Sequence, residues 1–333
     1  MKRGQSGLSL LVAVDKPLGM SSHDVVNACR RIFGERRVGH TGTLDPLATG
    51  LLPICVGPAT RLDNYLTGHD KGYRVSIGFG FETTTDDAEG QVCAEGPVED
   101  HLKDIEFAAP FIESLVGVHE QLPPQYSAIK INGVKSYEAA RKSRAVELEY
   151  RTITIHEAAL ESISYDMTSG ILCWNARFVV SKGTYIRSLA RDIGRMLGTF
   201  AHVRSLRRFS SGPFSLDEAV SLETLETLKE RAALDPVQAL GFRYAYGDAC
   251  NRAVGSGNAL HKDQLSLWEM PSSFETIRYD LCTNASLQSE AAPNPDELVS
   301  VIVENKLKAL YRFDSNASLW KADCVFSTGV ARG

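Results

Sequence analysis

Two stretches of strict alternation constrain this chain more than any other feature. In "GYRVSIGFGF", Tyr73, Val75, Ile77, Phe79 and Phe81 fall on one face and Arg74, Ser76, Gly78 and Gly80 on the other. A period of two is the pleat of a β-strand with one face buried, here with Tyr73 at its mouth. Around residues 171–181 the pattern returns, with Leu172, Trp174, Ala176, Phe178 and Val180 on one face, and a further strand is expected over about 151–165. "LSLLVAV", Leu8 to Val14, is apolar without interruption and reads as a buried strand.

Helical periodicity appears between these strands. "SSHDVVNACRRIFG" begins with a serine cap, Ser21 or Ser22, gathers Val25, Val26, Cys29, Ile32 and Phe33 on one face, and ends at Gly34. "KGTYIRSLARDIGRMLG" forms a second helix: Ile186, Leu189, Ala190, Ile193, Met196 and Leu197 make its buried stripe, while Arg187, Arg191 and Arg195 recur every four residues on another face. A third helix is expected at about 217–233. It precedes "LDPVQAL", where a boundary divides a domain of residues 1–234 from one of 235–333. Beyond it, residues 270–296 are polar and turn-rich, and "ELVSVIVENKLKALYRFD" and "LWKADCVF" read as strands of a small β-barrel. Residues 82–106 carry nine acids against Lys103 alone, the pattern of a solvated connection and helix. "LPPQYSAIKINGVKSYEAARKSR" reads as a hairpin or loop leading into a short helix.

The composition excludes several classes. Hydrophobic residues make up 43% and charged residues 23%, so the chain is globular. The apolar run near the N-terminus is ended by Asp15, too early for a signal peptide or a membrane span, and a cytoplasmic protein is expected. Seven cysteines are scattered singly, without the spacing of a zinc site. No Gly-Lys dipeptide provides a phosphate-cradling P-loop, "GFGFET" has too few glycines for a dinucleotide turn, and no GxSxG elbow is present. No metal or organic cofactor is therefore expected. Net charge is −5, yet seven basic residues between Lys182 and Arg208 face one acid, Asp192. Two readings fit that block: a footprint for a polyanion, or a solvated helix face.

"GHTGTLDPLATG" isolates one carboxylate, Asp45. Asp followed by Pro is a good helix cap, and Gly42 and Gly50 mark turns. The alternative is a lone reactive acid, for which Gly50 would let another backbone come close. The same duality holds for its neighbours in chemistry. His40 is a base, a phosphate donor or a loop residue; Tyr73 is a core aromatic or a surface on which a base stacks; Arg187 belongs to a solvated ridge or makes a bidentate pair with a carboxylate.

Five blocks in order, "DKPLGMSSHD", "GHTGTLDPLATGLLPICVGPATR", "DKGYRV", "QLPPQYSAIKINGVKSYEAAR" and "SKGTYIRSLARDIGRMLGTFAHVRSLRR", resemble the bacterial TruB family of tRNA pseudouridine synthases over about residues 9–215. The resemblance implies an α+β protein with a mixed, mainly antiparallel sheet flanked by helices, and a small β-rich C-terminal domain, PUA-like in the family. It implies isomerisation of uridine 55 in the T-loop of transfer RNA, by a monomer that needs no protein partner, no membrane and no cofactor. Asp45 falls on the family's catalytic aspartate. His40 lies on the residue that helps to extrude and replace flipped bases, Tyr73 on the aromatic that stacks on the target, Arg187 on the arginine that pairs with the carboxylate, and Tyr185 and Leu206 on further substrate contacts. Residues 121–145 resemble the family's mobile thumb, and Lys16 and Pro17 a motif that supports the active-site loop.

Overall fold

The two alternating segments lie near the middle of one sheet. The computed structural model describes residues 6–125, 148–167, 169–270, 288–289 and 291–333, with the backbone of residues 130–131 and 134–135. In chain order the strands of the first part are β1 (Leu10–Lys16), β2 (Val38–His40), β3 (Ala48–Val56), β4 (Lys71–Phe79), β5 (Phe81–Thr83), β6 (Val92–Glu95), β7 (Gly117–Gln121), β8 (Lys130–Ile131), β9 (Val134–Lys135), β10 (Arg151–Tyr165), β11 (Leu172–Val180), β12 (Ala201–Ser211) and β13 (Phe214–Ser215). Among the described residues, nine of them form one sheet in the order β1-β3-β12-β4-β11-β10-β7, with β2 added to β3 and β13 to β12. Every pairing is antiparallel except β3 with β12. The sheet is thus mixed and mainly antiparallel, as expected.

Helices α1 (Ser22–Phe33), α2 (Asp63–Leu66), α3 (Ile105–Glu113) and α4 (Ile186–Met196) accompany this sheet. Ser21 caps α1 in a reciprocal capping box with Asp24, and Gly34 ends it in the left-handed conformation. The inward face of β4, Tyr73 to Phe79, packs with Trp174, Ala176 and Phe178 of β11 and with Ile186, Leu189, Ala190 and Ile193 of α4 in one core.

The uninterrupted apolar runs of β1 and β3 have a physical cause: both strands are buried on both faces. Leu10, Val12, Val14, Leu52 and Ile54 enter the core beneath α1, while Leu11, Ala13, Leu51 and Cys55 enter a second core. That second core is completed by Val237 and Leu240 of a short helix, Pro236–Leu240, and by a six-stranded sheet. Its strands are β14 (Tyr244–Tyr246), β15 (Leu260–His261), β16 (Leu267–Trp268), β17 (Leu298–Val303), β18 (Lys306–Asp314) and β19 (Leu319–Ala331), in the order β15-β19-β18-β17-β14-β16.

Several expectations change. Gly80, at φ 108°, ends β4, so Phe81 begins a separate hairpin with β6 and is half-buried. Met196 is exposed rather than part of the α4 stripe. The helix expected at 217–233 is three short pieces, 216–218, 222–228 and 229–232, the last two separated where Lys229 takes φ 49°. Most of the thumb segment, including the helix expected near its end, lies outside the described residues, as does most of 270–296; within the thumb, β8 and β9 pair as a hairpin.

Candidate active site

Asp45 sits in the loop between β2 and β3, and a few buried contacts shape that loop. The Ser22 hydroxyl accepts from the Leu44 N–H at 2.7 Å and donates to the Leu44 carbonyl at 2.9 Å. Gly19 N–H donates to the Pro46 carbonyl at 2.9 Å and Ala48 N–H to the Asp45 carbonyl at 3.0 Å. This last bond closes a turn with Pro46 in the position its fixed φ favours. No helix follows, so Asp45 opens a turn instead of capping a helix.

Two buried cations brace the loop from behind. Lys16, fully buried, donates to the carbonyls of Pro17 at 3.0 Å, Met20 at 2.5 Å and Pro46 at 3.4 Å, and burial lowers its pKa to about 8. Arg208, also fully buried, donates to the carbonyls of Leu51 at 2.8 Å and Gly42 at 3.1 Å. Gly50 is essential to this approach: a Cβ there would stand 2.3 Å from the Arg208 carbonyl oxygen, at φ 99°.

The Asp45 side chain, 38% accessible, opens into a cavity of about 980 Å³. Its Oδ2 meets Arg187 Nε at 2.9 Å. The guanidinium, 7% exposed, also lies 3.5 Å from Asp87 Oδ2 and donates to the Thr85 carbonyl at 2.9 Å. Desolvation pushes the Asp45 carboxyl above the ordinary carboxylate range; Arg187 opposes the shift without cancelling it, and Asp87 adds to it.

Each remaining candidate is placed by its element. Tyr73 on β4 is opposite Phe178 of β11 and Arg208 of β12. Leu206 on β12 is opposite Val75 on one side and Ala48 on the other. Tyr185 is the N-cap residue of α4. Asp45, Tyr73, Tyr185, Arg187 and Leu206 therefore line one cavity, with Lys71, Arg151, Lys182 and Arg208. His40 does not line it. It is half-buried on β2, opposite Ile54, and burial lowers its pKa, which favours the neutral ring.

The lone-acid picture needs one addition, because Asp63 also lines the cavity, where its Oδ1 accepts from the Thr67 hydroxyl at 2.6 Å. A larger correction concerns the arginines. The α4 face is covered by acids: Arg187 by Asp45 and Asp87, Arg191 by Asp86 at 3.1 Å and Asp192 at 2.9 Å, Arg195 by Glu82 at 2.6 Å. Glu82, Asp86 and Asp87 are buried, so the start of the acid-rich stretch is a counter-layer to α4 and not a solvated connection. Arg204 and Arg207 pair with Asp166 and Asp15. The basic block is largely neutralised by acids of the same chain, with Arg187 and Arg191 buried and Arg195 and Arg207 paired at the surface. Among the described residues lining the cavity, Arg151 and Lys182 are exposed cations whose side chains have no ion-pair or hydrogen-bond partner.

Sequence reasoning missed Asp87 and Gln121, which contact site residues only through tertiary packing, and it misplaced Arg208, counted in the basic block as part of a polyanion footprint but fully buried against the Leu51 and Gly42 carbonyls. The one available signal was that acids at 82, 86 and 87 and arginines at 187, 191 and 195 both recur at about helical spacing. Among the described residues no group of three or more His, Cys, Asp or Glu is arranged to hold a metal ion, and no helix is long and apolar enough to cross a membrane.

The mixed, mainly antiparallel sheet, with a β-rich region beyond it and a carboxylate–arginine pair at its mouth, has the pseudouridine synthase fold. The chain is similar to a solved H/ACA ribonucleoprotein bound to a substrate RNA containing 2′-deoxyuridine, with a TM-score of 0.63 and 21% identity over 97% of this chain and 86% of that one. An archaeal box H/ACA complex is matched at a TM-score of 0.62 and 22% identity, over 97% and 87% of the two chains. Residues 30–186 match the N-terminal domain of TruB family pseudouridylate synthases, and residues 187–240 the C-terminal domain of tRNA pseudouridylate synthase B. The tRNA pseudouridine synthase B of Thermobifida fusca is 46% identical over 65% of this chain and 73% of its own length; that of Pseudomonas aeruginosa is 43% identical over 68% and 71%. The chain belongs to the TruB family.

Proposed function

We propose that the protein converts uridine 55 in the T-loop of transfer RNA to pseudouridine, acting alone on the T-arm stem-loop. The observation that carries this reading is Asp45, a carboxylate held by Arg187 in a cavity that also presents Tyr73, Tyr185 and Leu206. The N1–C1′ bond of the nucleoside breaks, the base turns, C5 bonds to C1′, the C5 proton is released and N1 takes one up. No electrons are gained or lost and no water is consumed. One ionised acid is enough for this, whereas glycoside hydrolysis needs a second carboxylate to handle water or the leaving group.

A stacked loop base has to leave its stack to reach Asp45, which costs a few kcal/mol. Stacking on Tyr73 would return about 1–3 kcal/mol. In this reading His40 helps to hold the loop bases displaced by extrusion, outside the cavity. Lys182 and Arg151 meet the phosphates at the cavity's edge. The relatives' names, as tRNA pseudouridine synthases, support the choice of substrate.

The test is mapping of pseudouridine, and release of C5 tritium, in a bare T-arm stem-loop treated with this protein alone. Wild type should modify a single uridine, and Asp45→Asn should be slower by more than about a thousandfold. Wild-type rates in that variant would refute the assignment of Asp45; activity only with a guide RNA and partner proteins would refute stand-alone action.

A further inference from the structure

Helix α4 begins at a residue that cannot cap it. Tyr185, extended at φ −103° and ψ 111°, offers no side-chain oxygen to the first turn. Ser188 stands at the third helical position, from which a capping-box side chain returns to the N-cap N–H, but its hydroxyl is buried and has no hydrogen-bond partner among the described residues. The bond comes from another element. Gln121, the last residue of β7 and 3% exposed, brackets the Tyr185 backbone: its Oε1 accepts from the Tyr185 N–H at 2.8 Å and its Nε2 donates to the Tyr185 carbonyl at 3.1 Å.

The next residue makes a second tie. Leu122 O accepts from Arg191 Nη2 at 2.8 Å, and Arg191 is itself fixed by Asp86 and Asp192. The end of β7 and the first turns of α4 are therefore joined at two points. Tyr185 and Arg187, which both line the cavity, lie between them or at them in the helix.

We propose that Gln121 is a positioning residue of this active site: by clamping both backbone groups of Tyr185 it sets the direction in which α4 starts, and so aims the Tyr185 ring into the cavity and Arg187 onto Asp45. This rests on the cavity being the site of uridine isomerisation. Without the clamp, the part-buried Tyr185 N–H loses its partner and the carbonyl keeps only its helical bond from the Leu189 N–H at 3.0 Å, and the chain relieves this by shifting the helix start. A displacement on the order of 1 Å at reacting groups costs about a hundredfold in rate.

The experiment uses the full chain and a T-arm stem-loop RNA, with Gln121→Leu and Gln121→Glu beside wild type. Gln121→Leu removes both bonds. It should lower kcat about 10- to 100-fold with KM within about threefold, and should move the acid limb of kcat/KM to higher pH as Arg187 loosens from Asp45. Gln121→Glu keeps the acceptor for the Tyr185 N–H and loses the donor, so its kcat should fall between the two. If Gln121→Leu does not fold, Gln121→Glu decides by the same readouts. Variants that fold with wild-type kcat and an unmoved acid limb would overturn the proposal, as would a loss that disappears once rates are scaled to the folded fraction. A wild-type protein inactive on this RNA would instead refute the functional reading.

Discussion

At Asp45 two opposing influences set the charge of one carboxyl. Burial raises its pKa and Arg187 lowers it, with burial the larger, so the acid titrates above its ordinary range. If the ionised form is the reactive one, kcat/KM falls as pH falls through this raised pKa, at a higher pH than for a free aspartate near 3.9. Arg187→Met removes the influence that favours the charged form and leaves Asp87 nearby as an unbalanced like charge. The acid limb should then move further up, so the variant loses more activity in mild acid than in alkali. A pH–rate profile of both proteins reads this directly; an identical limb in the two would mean that Arg187 does not control the ionisation of Asp45. At this scale the sequence named the residues that share the cavity, and it carried no information about the balance of charge and burial within it. Asp45, Tyr73, Tyr185, Arg187 and Leu206, far apart in the chain, line one cavity, whereas the sign of the Asp45 shift depends on how much water the fold removes.

At the scale of the element, helix α4 shows why a charge pattern in sequence is ambiguous. Periodicity put Arg187, Arg191 and Arg195 on one face correctly, but it carries no information about what lies opposite. The opposing layer, Glu82, Asp86 and Asp87, is about a hundred residues away in the chain and arrives through the pairing of β4 with β11 and β12. Local breaks were equally hidden: Gly80 ends β4 one residue before Phe81, and Lys229 interrupts the helical region at 217–233. The strand at 171–181 was legible because alternation is a local property that tertiary packing did not override. The covered arginines have a measurable consequence for RNA binding. Affinity depends on salt through cations that release counterions from phosphates, and an arginine already paired inside the protein contributes little. Lys182→Ala should therefore reduce the slope of log K against log salt by about 1, and Arg191→Met should leave that slope unchanged. Titration of a T-arm stem-loop at several salt concentrations separates the two, and an equal loss of slope in both would return the α4 face to the interface.

For the molecule as a whole, the second core decides how the two sheets behave. Leu11, Ala13, Leu51 and Cys55 of the large sheet share it with Ile302, Leu307, Leu310, Phe326 and Val330 of the small one. Polar ties cross the same junction: Arg61 donates to the Val325 carbonyl at 2.7 Å, Tyr65 donates to Asp323, and Ala331 N–H donates to the Ser9 carbonyl at 2.8 Å. A sequence boundary near residue 235 marks a change of composition, but nothing in composition shows that β1 and β3 present an apolar face to the C-terminal sheet. Because β1 ends in Lys16, whose ammonium holds the Asp45 loop, the junction also backs the active site. Unfolding should accordingly be a single cooperative transition. Phe326→Ala, at a fully buried ring in the shared core, should cost about 3–5 kcal/mol and lower that one transition as a unit. Calorimetry distinguishes the alternatives: two separable transitions, with Phe326→Ala shifting one and sparing the other, would mean that the small sheet is an appendage. If a single transition shifts instead, the variant should also lose uridine isomerisation at temperatures the wild type tolerates, since the strand bearing Lys16 unfolds together with the core behind it.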